Sequence, residues 1–493
     1  MKATTLPPAA LALWLIGCAP AAPPAPAPAP VPVPARTFAE TVDLILADTA
    51  LAHAHWGVLV RSLDGDSLVY ARSASKLFTP ASNMKLLTGA AALEVLGPAY
   101  RYRTEVSAAG QVSGGVLLGD LVVSGAGDPT VSERFHHDPR AVFRGWADSL
   151  RVHGVRRIAG DVVGIDRLFD GVPLGSGWAW DDLESAYAAG VAGLYLNEGV
   201  VRVTVRPGPL GASARVSLDP PTGYLPVTNS TRTSSAGGEP FLTVERNPAG
   251  RGVLVEGEVT AGAEPVVRWI AVRDPAGYFA AVLRETLESE GVEVSGRARV
   301  LEADETGPAG ATFLFAHLSP PLEEVLPELL KPSQNQIAEI LLKTVGLEAR
   351  GEGSARAGAE AVDSLLAAWG VKPTRLRVAD GSGLSRYNLL SPELLVSLLE
   401  RMDGSRYARL WRESLPLAGV DGTLENRLRG TAAEGRVRAK TGSLSNVRAL
   451  SGYLTTSAGE RMVFSTLVNG HLLGAAGVDR VVDDILLALI ASP

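Results

Sequence analysis

The chain has 493 residues, of which 46% are hydrophobic and 20% charged, enough to bury a sizeable core and to divide into two or three domains. A net charge of −7 without a long basic run argues against nucleic acid as the main partner. Beyond the first 20 residues no run of 18 or more apolar residues suggests a membrane span, and the single cysteine, Cys18, excludes an internal disulfide or a thiolate metal cluster.

Residues 1–18 read as an export signal: Lys2, a short apolar stretch from Ala9 to Ile16, then Gly17 and Cys18. Leu15-Ile16-Gly17-Cys18 resembles the bacterial lipoprotein box, which implies that Cys18 is lipidated and becomes the mature N-terminus. Residues 19–36 form a Pro/Ala tether that cannot pack a core and is expected to be extended. A short amphipathic helix follows from Thr37 to Ile45, then strands over 56–61 and 67–70 around the turn Asp64-Gly65-Asp66.

The next stretch carries chemistry. Pro80 suits a first helical turn, and apolar residues from Met84 to Leu96 keep helical spacing until Gly97-Pro98 stops it. On such a helix Ser82 and Lys85, three apart, share a face. A serine hydroxyl needs an adjacent base to act as a nucleophile, and a lysine can serve if its pKa is lowered. Only seven of the 46 basic residues are lysines, so a lysine here departs from the chain's preference for arginine, which cannot be deprotonated. A second S-x-x-K, Ser73 to Lys76, lacks an apolar helical run and reads as a turn.

After Pro98 the chain becomes short β-like segments rich in glycine, among them 115–119, 121–124, 200–205 and 253–256. Residues 99–270 are expected to be a β-rich insertion of two subdomains, with Asp274-Pro275 opening a helix over 276–289 that returns to the host domain, 37–98 and 271–493. Its Gly125–Thr130 turn lacks the lysine of a phosphate loop, and His53, His55, His136 and His137 have no companions at metal-ligand spacing. Further on, Ser333-Gln334-Asn335 begins a helix, Asp380–Ser385 and Ala418–Thr423 are glycine-rich loops, and Lys440-Thr441-Gly442-Ser443 leads into strands near 450–455 and 462–468. An apolar helix over 481–490 closes the chain.

Ser82-x-x-Lys85, Ser333-x-Asn335 and Lys440-Thr441-Gly442, in that order, resemble the motif set of penicillin-binding proteins and serine β-lactamases. Pro80–Lys85, Gly127-Asp128-Pro129, Asp380–Ser385, Gly419–Leu424 and the large insertion are most similar to the class C low-molecular-mass penicillin-binding proteins, the D-alanyl-D-alanine carboxypeptidases that also act as endopeptidases. The likeness covers residue 37 to the C-terminus; Gln334 departs from it where aspartate is common. It implies an α/β transpeptidase fold, an antiparallel sheet flanked by helices, and an enzyme acting on peptidoglycan stem peptides that end in D-Ala-D-Ala; the signal and lipobox before it imply export to the periplasm or cell envelope with a lipid anchor.

In that resemblance Ser82 attacks the penultimate D-alanine carbonyl, neutral Lys85 takes its proton, and Asn335 holds Lys85 and the substrate amide. Ser333 and Lys440 pass a proton to the leaving amine, and the positive charge of Lys440 depresses the pKa of Lys85. Thr441, Gly442 and Ser443 bind the terminal carboxylate side of the substrate, with backbone N–H groups of Ser82 and Ser443 as the oxyanion hole. No metal or organic cofactor is required, and β-lactams are expected inhibitors. Two other readings are a β-lactamase or esterase, which lacks its E-x-x-L-N loop here, and an idle envelope-binding scaffold; a Ser-His-Asp hydrolase lacks a G-x-S-x-G elbow.

Overall fold

The computed structural model describes residues 1–2, 5, 36–235, 241–248, 250–302, 304–371 and 376–492. The apolar signal stretch, Cys18 and the tether up to residue 35 lie outside them. Residues from Phe38 onward form one compact unit. Helix α1 (Phe38–Leu46) leads into strands β1 (His55–Ser62) and β2 (Leu68–Arg72), then a 3-10 turn (Ala81–Asn83) that runs straight into α2 (Met84–Val95).

Strands β3 (Arg103–Ser113) and β4 (Val116–Ser124) form a hairpin, followed by the short helix α3 (Glu133–His136), α4 (Ala141–Val152), and strands β5 (Arg157–Ile158) and β6 (Val162–Ile165). Six strands come next: β7 (Val200–Arg206), β8 (Arg215–Asp219), β9 (Val227–Ser234), β10 (Leu242–Arg246), β11 (Val253–Thr260) and β12 (Val266–Ala271). They make two three-stranded sheets, β12-β7-β8 and β10-β11-β9. Helix α5 (Pro275–Ser289) is followed by β13 (Glu293–Val294), β14 (Ala298–Val300) and β15 (Thr312–Leu318), and these three strands complete a seven-stranded sheet with β3 to β6.

Here the boundary read at residue 270 needs correction. The buried residues of α5, including Tyr278, Phe279, Val282, Leu283 and Leu287, pack with Val106, Phe143, Trp146 and Val203 in the apolar core of the β-rich region. Strand β15 pairs antiparallel with β3 along its length. The inserted region therefore continues to Leu318, and α5 belongs to it rather than to the host domain.

The chain returns with α6 (Leu322–Leu330), α7 (Asn335–Arg350), α8 (Ala355–Ala368), α9 (Pro392–Asp403) and α10 (Ala408–Ser414). It ends in β16 (Val437–Leu444), β17 (Val447–Thr455), β18 (Arg461–Asn469) and α11 (Ala475–Ile490). The host sheet, β16-β17-β18-β1-β2, is antiparallel throughout. Both of its faces are covered, which explains why β1 reads as a nearly continuous apolar run. Along β1, Leu59 joins the core of α2, α6, α7 and α9, while Val58 and Val60 join that of α1 and α11. This sandwich sets the first turn of α2 against the inner end of β16.

Candidate active site

The segment carrying Ser82 is held from three sides. Thr79 exchanges two hydrogen bonds with the Asn469 side chain at the end of β18. Asn83 Nδ2 donates to the Lys440 carbonyl on β16 at 2.9 Å. Gly383 lies so close to the Ala81 carbonyl that a Cβ there would collide with it. Ala81 itself has φ 46°, a conformation costly for a residue with a side chain and maintained by those surrounding contacts.

Lys85 is fully buried, and its Nζ lies 2.9 Å from Ser82 Oγ, 2.6 Å from Asn335 Oδ1 and 2.8 Å from the Ser382 carbonyl. Neutral lysine suits this set: two N–H groups go to the carbonyl-type oxygens and its lone pair accepts the serine proton. Loss of hydration pulls its pKa down to about 7, against the opposing pull of the Asp380 and Glu339 carboxylates. Burial likewise holds the ammonium of Lys440 well below its usual range, and the charge of Lys85 adds to this. Burial is the larger cause at Lys85, and because repulsion between the two ammoniums is mutual, the lowering by Lys440 expected from the sequence acts beside it.

The two carboxylates are clamped in place. Glu339, on the buried face of α7 one turn after Asn335, accepts from the backbone N–H of Ser382 at 2.8 Å and of Gly381 at 3.1 Å. It thereby aims the Ser382 carbonyl at Lys85. Asp380 accepts from the backbone N–H groups of Gly383 and Ser385, from Asn388 Nδ2 and from Trp178 Nε1. Burial and the charge of Asp380 raise the pKa of Glu339.

Ser82, Ser333, Asn335, Thr441 and Ser443 line one cleft of about 360 Å3, whereas Lys440 sits behind the wall with its Nζ on the Thr441 carbonyl. At Gly442 a Cβ would lie 2.8 Å from the Pro80 carbonyl oxygen and 3.1 Å from the Ser82 nitrogen, so a bare backbone lets β16 approach the serine. Thr441 Oγ1 is tied to Thr423 Oγ1 at 2.7 Å. Gln334 is the N-cap of α7, its Oε1 accepting from the Ile337 N–H, and so fills the role of the shorter acid common there. Asn335 Nδ2 donates to the Tyr187 carbonyl of the inserted region, which leaves one of its hydrogens for a substrate.

Asp182, Tyr187 and Arg386 also line the cleft beside Ser82 without belonging to any motif named above, and Thr423 of the Ala418–Thr423 loop joins them. Reading the sequence missed Glu339, although an acid among Ile337, Ile340, Leu341 and Leu342 is itself a signal of a buried polar partner.

The host sheet, its flanking helices and the β-rich insertion define the fold of the penicillin-binding proteins. A model of the D-Ala-D-Ala carboxypeptidase 3 (S13) family matches residues 38–486. The D-alanyl-D-alanine carboxypeptidase of Actinomadura sp. (strain R39) is 38% identical over 445 residues, which is 88% of this chain and 81% of that one. The carboxypeptidase DacB of Haemophilus influenzae is 28% identical over 85% of this chain and 86% of its own. Penicillin binding protein 4 (dacB) from Haemophilus influenzae superposes with a TM-score of 0.78 at 26% identity, covering 91% of this chain and 98% of that structure. The chain belongs to the D-Ala-D-Ala carboxypeptidase 3 (S13) family.

Proposed function

We propose that Ser82 is the nucleophile of a serine-type D-alanyl-D-alanine carboxypeptidase and endopeptidase that cleaves peptidoglycan stem peptides through an acyl-enzyme and is acylated by penicillin. The observation that carries this is the contact of Ser82 Oγ with a buried lysine whose pKa is pulled down to about 7. Attack on the penultimate D-alanine carbonyl forms the Ser82 ester bond as Lys85 takes the hydroxyl proton. The backbone N–H groups of Ser82 and Ser443 receive the developing oxyanion. The C–N bond then breaks, and the leaving D-alanine amine takes a proton supplied through Ser333 and Lys440. Thr441 and Ser443 hold the terminal carboxylate, and water returns the serine. Penicillin binding protein 4 of Haemophilus influenzae forms a complex with a β-lactam, which supports β-lactam inhibition of this enzyme.

The enzyme works in the cell envelope, and we assign its anchoring to a lipid on Cys18. The support is the lipobox-like Leu15–Cys18 and the tether after it. Cys18→Ala should move the protein to the soluble fraction; unchanged membrane partition would contradict the anchor.

The activity is tested with a peptide ending in D-Ala-D-Ala. D-alanine should be released, and prior exposure to penicillin should stop it. Rapid penicillin hydrolysis without D-alanine release would instead select a β-lactamase.

A further inference from the structure

A second cleft, of about 600 Å3, opens beside the catalytic one. Its walls include Glu133, Arg134, Asn197, Glu198, Arg202 and Trp269, and a volume of this size falls in the range of small-ligand sites. The 3-10 turn Ala186–Ala188 divides the two, since Ala186 lines this cleft and Tyr187 lines the other. The first turn of α7 grips that divider, with Gln336 Nε2 on the Ala186 carbonyl at 2.9 Å and Asn335 Nδ2 on the Tyr187 carbonyl at 2.7 Å.

The lining describes its ligand. The two carboxylates and two guanidiniums cancel, and the guanidiniums are already paired, Arg134 with Glu198 and Arg202 with Asp219. A charged ligand would have to disrupt those pairs, whereas a neutral one rich in hydroxyl and amide groups can use their remaining donors and acceptors. Asn197, 2% exposed, shapes the wall through its Oδ1, which accepts from the Glu133 N–H. Asn197 and Glu198 hold φ of 49° and 58°, consecutive strained residues of the kind that accumulate at binding sites. Trp269, with the Arg202 guanidinium 5.5 Å from its ring centroid, adds an aromatic surface for the C–H face of a pyranose.

We propose that this cleft binds the glycan part of the substrate, a neutral disaccharide of N-acetylated amino sugars, while the stem peptide reaches across the Ala186–Ala188 turn to Ser82. The proposal rests on the stem-peptide reading of the catalytic cleft. Three extended residues between the sugar and the scissile alanine span about 10 Å, enough to cross a 3-10 turn about 6 Å long.

The test is calorimetric titration of the full-length protein with N,N′-diacetylchitobiose, alongside kcat/KM for D-alanine release from a pentapeptide, free and attached to its disaccharide. Saccharide binding is expected in the unaltered protein, weakened about tenfold or more by Trp269→Ala and by Glu198→Gln. Arg268→Ala, exposed on the same strand and outside the lining, should bind normally. The attached disaccharide should raise kcat/KM about tenfold through KM, and Trp269→Ala should erase that ratio. No saccharide binding, or binding unchanged in both Trp269→Ala and Glu198→Gln, would overturn the proposal. Because binding is read without turnover, loss of D-alanine release from both substrates would count against the activity and not against this cleft.

Discussion

Burial is what would turn Lys85 from an ordinary ammonium into the proposed base. With its pKa brought to about 7, the neutral form grows as pH rises through that value, so acylation by penicillin should climb across neutral pH and level off above it. Lys85→Arg keeps the charge but not the ability to lose it, and should slow acylation by about 10²- to 10⁴-fold at all pH values. Glu339 acts on the same titration from behind, since its carboxylate favours the protonated lysine. Glu339→Gln should therefore shift the rate profile to lower pH while slowing acylation, because an amide N–H would face the backbone N–H groups that the carboxylate now receives. Measured rate constants for penicillin acylation against pH decide this; a profile unmoved or moved upward would contradict it. The midpoint belongs to Lys85 and Glu339 together rather than to one residue.

At the scale of elements, the site depends on how closely β16 approaches the turn before α2. Gly442→Ala would place a methyl 3.0 Å from Ala449 Cβ as well as against Pro80 and Ser82, so the strand must retreat. A displacement near 1 Å at a reacting group is worth about 100-fold, and acylation should fall by that order while the far-UV spectrum stays unchanged. An unaltered acylation rate would show that the approach is not needed. Ser82 and Lys85 were legible in the sequence because their relation is local, three residues apart across the 3-10 turn and the start of α2. Glu339 and Asp380 converge from elements about 40 residues apart, and helical periodicity records only that a residue lies on a face, not what meets it there.

Over the whole molecule, the inserted region is part of the wall of the Ser82 cleft and not an independent appendage. Trp178 Nε1 on Asp380 and the Tyr187 carbonyl on Asn335 join it to the host domain at the cleft. Trp178→Phe should lower stability by about 1–3 kcal/mol, seen as an earlier midpoint in urea, because it removes a donor to a buried carboxylate. In the sequence the shift to glycine-rich strands marks the expected start of this region. Its end was misread because the apolar period of α5 is the same whichever core receives it, and the pairing of β15 with β3 spans about 200 residues. The identity of the acylated residue tests the proposed mechanism most directly. Intact mass after exposure to penicillin, followed by peptide mapping, should show one adduct on Ser82, absent in Ser82→Ala and retained in Ser73→Ala; an adduct that persists in Ser82→Ala would contradict it.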